Sequence, residues 1–173
     1  AAVKLQIPIA HVEAGPRLGN FDTPEESNRL IVDHLSKLRF CCDLPSIENL
    51  KREGISSGVI NSGDVMYDAF LKYSGEREVI VNQNKKNIYL TLHRPQNVDS
   101  LEAHYEILSF LDDCQCEVFF PLHARTKLKI EEFGLSKEYE SIEHVTLLEP
   151  LGYLESIAYI NASNFVITDS GGV

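Results

Sequence analysis

The stretch Asn82-Gln83-Asn84-Lys85-Lys86-Asn87-Ile88-Tyr89-Leu90-Thr91-Leu92-His93-Arg94-Pro95 carries the change of texture on which the fold reading turns. Its first five residues bear no apolar side chain. Asn87–Leu92 then forms a short apolar run that ends in a polar, basic cluster and a proline, the pattern of a buried strand. Residues 74–86 are mostly polar, and a linker at 81–86 divides the chain into 1–80 and 87–173. Downstream, Ser100 caps a helix with Leu101, Tyr105, Leu108 and Leu111 at helical spacing. Strand Glu117–Pro121, helix Arg125–Glu132, strand His144–Leu148, helix Tyr153–Asn161 and strand Asn164–Thr168 follow.

The upstream part alternates in the same way. A strand over Ile7–Val12 leads into the Gly15-Pro16 turn. Thr23-Pro24-Glu25-Glu26 reads as a helix start, with Thr as N-cap, Pro at the first helical position and acids facing the helix dipole. That helix runs to about Ser36. Strand Leu38–Cys42, helix Ser46–Glu53 stopped by Gly54, strand Val59–Asn61 and a helix after Gly63-Asp64 complete it. Strands separated by helices make α/β units with parallel sheets, in which ligands collect at the carboxyl ends of the strands.

With 173 residues, 43% hydrophobic and 24% charged, the composition is that of a globular protein with a real core. The formal net charge of −10 argues against a nucleic-acid or anionic-membrane surface, while leaving room for a local basic pocket. No apolar run approaches the ~20 residues of a membrane span, and no signal peptide is visible. Cys41-Cys42 and Cys114-x-Cys116 suit neither a disulfide framework nor a zinc knuckle, and read as buried thiols of a reducing cytoplasm. Asn161-Ala162-Ser163 matches a glycosylation acceptor only by chance in that compartment.

The polar clusters fall at strand ends. Thr168-Asp169-Ser170-Gly171-Gly172 is either a tight turn or a phosphate-binding turn, with backbone N–H groups and the Ser170 hydroxyl as donors. His11 and Glu13 would share a face if the first strand continued, an acid/base pair against the plainer reading of a structural histidine. Glu25 and Arg29, four residues apart on a helix, form a surface ion pair unless Glu25 is aimed into a cleft. His93 and Arg94, with Asn97 behind them, suit a pyrophosphate, and His123 with Arg125 repeats the arrangement one strand later.

Five ordered segments resemble UDP-N-acetylglucosamine 2-epimerases: His11-Val12-Glu13-Ala14-Gly15-x-Arg17, Pro24-Glu25-Glu26-x-Asn28-Arg29, Thr91-Leu92-His93-Arg94-x-x-Asn97, Pro121-Leu122-His123-x-Arg125-Thr126 and Thr168-Asp169-Ser170-Gly171-Gly172. The resemblance covers nearly the whole chain. It implies an α/β protein with two Rossmann-like parallel-sheet domains of the GT-B type, each only partly present. Residues 1–80 would be the second half of the N-terminal domain and 87–173 the first half of the C-terminal, UDP-binding domain. A Gly-Asp-Thr motif would lie before Ala1, and a ribose-contacting glutamate after Val173.

The implied reaction interconverts UDP-N-acetylglucosamine and UDP-N-acetylmannosamine by eliminating UDP to 2-acetamidoglucal and adding it back. By motif, Glu13 and Glu25 are the implied acid/base groups and His93 stabilises the leaving UDP. Ser170, Gly171 and Gly172 match the phosphate-binding turn, and Arg17, Arg29, Arg94 and His123 are the remaining substrate-binding candidates. The resemblance implies no metal or other cofactor, a UDP-sugar substrate, a cytoplasmic homodimer and a place in cell-surface polysaccharide synthesis. A hydrolysing epimerase releasing N-acetylmannosamine and UDP, a glycosyltransferase of the same architecture and a non-catalytic UDP-sugar-binding fragment remain as alternatives. Pro16 and Ala124 depart from the family pattern.

Overall fold

The computed structural model describes residues 1–21, 23–82 and 84–171. The chain divides into two compact units, Ala1–Ala69 and Phe70–Val173.

The first unit is built on a parallel three-stranded sheet, β1 (Ala10–Val12), β2 (Leu38–Cys41) and β3 (Val59–Asn61), in that spatial order. Helices α1 (Pro24–Leu35) and α2 (Leu44–Arg52) are the crossovers, and α3 (Val65–Tyr73), which follows β3, contains the division between the units after Ala69. Its core is small: Ala14, Cys41 and Leu50 are fully buried, with Ile47, Ile55 and Val59 packed on them. β1 is shorter than the Ile7–Val12 expected. Among the described residues it pairs only with β2, in the register Ala10↔Leu38 to Val12↔Phe40, and a 3₁₀ turn over Ala2–Leu5 occupies the residues ahead of it.

Helix α2 begins before the expected Ser46. The Asp43 carboxylate accepts a 2.7 Å bond from the Ser46 N–H, capping the helix ahead of Pro45. It ends at Gly54, whose φ of +80° lets the Ile55 N–H reach back to the Leu50 carbonyl at 2.8 Å. Thr23 occupies the N-cap of α1 as expected, but its hydroxyl donates to the Asn20 carbonyl at 2.9 Å instead of capping the helix.

The second unit carries a parallel four-stranded sheet of β4 (Asn87–Thr91), β5 (Glu117–Pro121), β6 (Val145–Leu148) and β7 (Phe165–Thr168) in the order β6-β5-β4-β7. The chain starts in the interior at β4, builds outward through β5 and β6, then returns to the opposite flank of β4. This reversal opens a crevice between the carboxyl ends of β4 and β7, the usual ligand position in such sheets. Thr91 and Thr168 are in register there.

Helices α5 (Leu101–Asp113), α6 (Ala124–Glu132) and α8 (Tyr153–Ala162) make the crossovers. Ser100 caps α5 as expected, accepting from the Ala103 N–H at 3.2 Å. Two short helices, α4 (Pro95–Val98) and α7 (Ser136–Glu140), were not anticipated. Each is too short to show a helical period. Ile88, Leu90, Ile107, Leu111, Val118, Phe120 and Tyr139 are among the residues of one buried cluster between sheet and helices.

Leu111 is fully buried in this cluster, and truncating it leaves a cavity the packed sheet cannot close. Leu111→Ala is expected to lower unfolding free energy by about 2–5 kcal/mol, read as a reduced urea midpoint with an unchanged slope.

Candidate functional site

Each unit gathers polar groups at the carboxyl ends of its strands around one aspartate. In the first unit this is Asp33, on α1 and fully buried. The His11 Nδ1–H donates to its Oδ1 at 2.6 Å. Its Oδ2 accepts from the Gly15 N–H at 3.2 Å and from Arg17 Nη2 at 2.8 Å. Arg17 also holds Glu53 in a two-pronged contact, 2.7 Å from both Nε and Nη2, and donates from Nη1 to the Pro16 carbonyl at 2.8 Å. The hydrogen bonds to Glu53 raise the Arg17 pKa most; burial opposes them and Asp33 reinforces them.

These contacts pin the loop that carries Glu13. The Ala14 N–H donates to the Phe40 carbonyl at 3.0 Å, and the Gly15 carbonyl accepts from Asn49 Nδ2 at 3.1 Å. Gly15, at φ +93°, passes so close to the Ser46 carbonyl that a Cβ would collide with it. The strand ends at Val12, and Glu13 takes a left-handed φ of 62°. Strand alternation therefore does not align Glu13 with His11. The turn instead presents an exposed Glu13 carboxylate on an immobilised loop.

Glu25 is exposed in the first turn of α1, and among the described residues it forms no ion pair with Arg29. Its neighbour Glu26 is the buried one, accepting from the Leu18 and Gly19 N–H groups at 3.0 Å each. The Leu18 N–H is the main cause of a Glu26 pKa below the usual carboxylate range. Burial opposes it, while the Gly19 N–H and the charges of Arg17 and Arg29 assist.

In the second unit the organising group is Asp169, just beyond β7. Its carboxylate accepts from the His93 N–H at 3.1 and 3.0 Å, the Arg94 N–H at 2.8 Å and Asn97 Nδ2 at 2.9 Å. His93 Nδ1 lies 3.2 Å from Oδ1, and Arg94 Nε donates to the Asp169 carbonyl at 2.6 Å. Burial works to raise the Asp169 pKa, but the Arg94 N–H, the Asn97 amide, the His93 N–H and the His93 charge outweigh it. The carboxylate stays below its ordinary value.

The His93 and His123 rings lie 5.1 Å apart, tilted by 33°. The Arg125 N–H donates to His123 Nδ1 at 3.2 Å, so the neutral His123 ring carries its proton on Nε2. Arg125 itself is engaged with Asp99 through bonds of 2.8 and 2.6 Å. The Ser170 N–H donates to Thr168 Oγ1 at 2.9 Å, and among the described residues nothing lies within 4 Å of where a Cβ on Gly171 would stand. Gly172 lies outside the described residues.

This unit thus brings His93, Arg94, His123 and Ser170 to neighbouring strand ends, with donors suited to a phosphate. A cavity of about 500 Å³ between α5 and α7 is lined by Tyr105, Leu108, Asp112, Glu138 and Ile142, among others, and offers no basic group to an anion. Among the described residues no three His, Cys, Asp or Glu side chains gather as a metal site. The two hubs, Asp33 and Asp169, were absent from the candidates drawn from sequence. Their signal was present, since each stands inside or beside a family motif, but only contacts distant along the chain reveal the role.

A protein-family profile described as UDP-N-acetylglucosamine 2-epimerase matches residues 1–173. The chain is 38% identical to a UDP-N-acetylglucosamine 2-epimerase homolog of Methanococcus maripaludis, over all of this chain and 51% of that protein. It is 39% identical to the UDP-2,3-diacetamido-2,3-dideoxy-D-glucuronate 2-epimerase of Pseudomonas aeruginosa, covering 49% of it. Among solved structures, it matches the Methanocaldococcus jannaschii UDP-GlcNAc 2-epimerase in complex with UDP-GlcNAc and UDP, with TM-score 0.81, 34% identity and coverage of 99% of this chain and 51% of that one. The Neisseria meningitidis enzyme bound to UDP-GlcNAc matches with TM-score 0.83, 28% identity and coverage of 99% and 50%. The chain spans about half the length of these relatives, and its fold is that of the corresponding part of these GT-B-type proteins.

Because the Asp169 pKa is depressed on folding, its contribution to stability is full above the unfolded aspartate pKa of about 3.9 and is lost as pH falls through the lower folded value. Asp169→Asn removes the charge and leaves one carbonyl oxygen for the donors. It is expected to cost about 1–3 kcal/mol at neutral pH and to flatten the acid limb of stability against pH, measured by urea unfolding from pH 2 to 7.

Proposed function

The chain belongs to the UDP-N-acetylglucosamine 2-epimerase family, and from that membership we propose that the whole protein inverts C2 of a UDP-linked N-acetylamino sugar, interconverting UDP-N-acetylglucosamine and UDP-N-acetylmannosamine. The observation that carries the reading is the Asp169-organised cluster at the β4/β7 reversal, where His93, Arg94 and His123 stand together beside the Ser170-Gly171 turn. That placement suits a pyrophosphate on both chemical and topological grounds.

In the proposed reaction a carboxylate takes the C2 proton and the C2–H electron pair becomes the C1=C2 double bond. The C1–O bond breaks with its electrons leaving on UDP, giving 2-acetamidoglucal. UDP then adds back at C1 while C2 is protonated from the opposite face. Atoms and electrons balance without a redox partner. We assign proton transfer to Glu13 and Glu25, both exposed carboxylates at the carboxyl-end side of the first unit. Loss of UDP builds charge on the β-phosphate. His93, the Arg94 guanidinium, the His123 Nε2–H and the residues Ser170, Gly171 and Gly172 are the groups assigned to meet it. Arg29 is a further substrate-binding candidate. Arg17, engaged by Asp33 and Glu53, serves in this reading by fixing the Glu13 loop.

The proposal extends to residues 1–80 and 87–173 as parts of two Rossmann-like domains joined at 81–86, in a cytoplasmic homodimer serving cell-surface polysaccharide synthesis. The four free cysteines are in keeping with a reducing compartment, and the resemblance to the family is what supports the rest of this reading. A second substrate is favoured by the 39% identity to the Pseudomonas aeruginosa enzyme: the same elimination on a UDP-2,3-diacetamido-2,3-dideoxyglucuronate.

The test uses the full-length enzyme in deuterated water with each UDP-sugar in turn. Deuterium at C2 of a UDP-linked epimer is expected with one of them. Free N-acetylmannosamine would mark the hydrolysing reaction, and sugar transfer to an acceptor without C2 exchange would mark a glycosyltransferase. Glu13→Gln is expected to lower turnover and C2 exchange by at least about 100-fold while UDP affinity, read by calorimetry, changes less than about threefold. Wild-type turnover in that variant overturns the role.

A further inference from the structure

Helix α4 is a single turn, Pro95–Val98, inserted between the His93-Arg94 segment and α5. Its Asn97 side chain contacts Asp169 at 2.9 Å, so the position of the turn and the position of the anion-binding cluster are linked. The last carbonyls of a helix have no partner within it. Val98 is fully buried, so water is not available to its carbonyl.

The partner is His104, one turn into α5 and also fully buried. His104 Nε2 lies 2.9 Å from the Val98 carbonyl oxygen, and Nδ1 lies 2.8 Å from the Tyr139 hydroxyl on α7. A carbonyl only accepts, so the proton sits on Nε2; Nδ1 then accepts from the Tyr139 O–H, and both ring nitrogens are satisfied in the neutral form. Burial lowers the His104 pKa, opposed in part by the bond to Val98. Phe133 packs edge-on to the ring, with centroids 5.5 Å apart, and the Tyr139 ring stands at 86° to it. The imidazole is held on several sides and transmits that fixity to Val98.

We propose that His104 is a positioning residue: through its Nε2–H bond to the Val98 carbonyl it holds α4, and with it His93, Arg94 and Asn97, in the arrangement that binds phosphate. The inference rests on the reading of that cluster as the UDP site, and it assigns a buried group with no access to substrate a part in binding it. A histidine that merely fills the core would need only shape; this one is required for the direction of one hydrogen bond.

Two amide variants separate its two nitrogens in the full-length enzyme. In His104→Gln the side-chain amide reaches the Nε2 position and can still donate to Val98. In His104→Asn it reaches only the Nδ1 position, keeping Tyr139 and losing Val98. UDP affinity by calorimetry and kcat and KM for epimerisation are compared at a temperature where both variants are folded. His104→Asn is expected to weaken UDP binding and kcat/KM by about 10- to 100-fold, while His104→Gln stays within about threefold of wild type. Equal losses in the two variants, or loss in neither, overturn the proposal.

A measurement on the wild type covers the case of variants that do not fold. Ring nitrogen NMR is expected to show neutral His104 protonated on Nε2 at pH 7, with that resonance shifting on UDP saturation. Protonation on Nδ1, or a resonance unmoved by bound UDP, overturns the proposal. A wild-type enzyme that binds no UDP and epimerises nothing overturns the functional reading itself, and is recognised before any variant is made.

Discussion

The Asp169 carboxylate, seated beyond β7, accepts the N–H groups of His93 and Arg94 beyond β4 and the side-chain amide of Asn97 on α4. The crevice in the second unit depends on this set of bonds. Parallel strands end in backbone groups without ladder partners, and two neighbouring strand ends would otherwise splay into solvent. A single anion between them satisfies the donors of one loop with a residue of the other. It also leaves the basic side chains of His93 and Arg94 at the rim. A buried negative charge is costly unless donors surround it, so the carboxylate and the loop require one another.

The first unit solves the same problem with the same chemistry. Asp33 reaches from α1 to His11, the Gly15 N–H and Arg17, and Glu53 completes the neutralisation of the guanidinium. Glu26 does likewise for the Leu18 and Gly19 N–H groups. Three acidic side chains are thus spent inside loops, and Glu13 and Glu25 remain at the surface. The first three are committed to holding backbone and guanidinium donors, while the last two are open to solvent.

The elements were largely legible because apolar runs and breakers mark them: β3 and β5 occupy the residues expected, and the Ser100 cap and the Gly54 stop are where the side chains placed them. The failures have local causes. β1 starts only at Ala10 because its partner β2 starts at Leu38 opposite it, which no periodicity records. α4 and α7 fall below the length at which a 3.6-residue period shows. Glu25 and Glu26 are indistinguishable as letters. Which of them turns back to cap the Leu18–Gly19 loop depends on the helix phase and on the path of the chain before it.

The amino-acid sequence by itself determined the alternation of strands and helices, the polar break near residue 80, and the clustering of His, Arg, Glu and Gly at strand ends, because these follow from periodicity and turn chemistry within short windows. The strand order, and with it the crevice between β4 and β7, was decided only by tertiary structure. So were the roles of Asp33, Asp169 and His104. Asp169 meets His93 from 76 positions away, and His104 meets Tyr139 from 35. The reason is physical: a hydrogen bond between distant segments exists only once packing has brought them within three ångströms and excluded the water that would satisfy them separately.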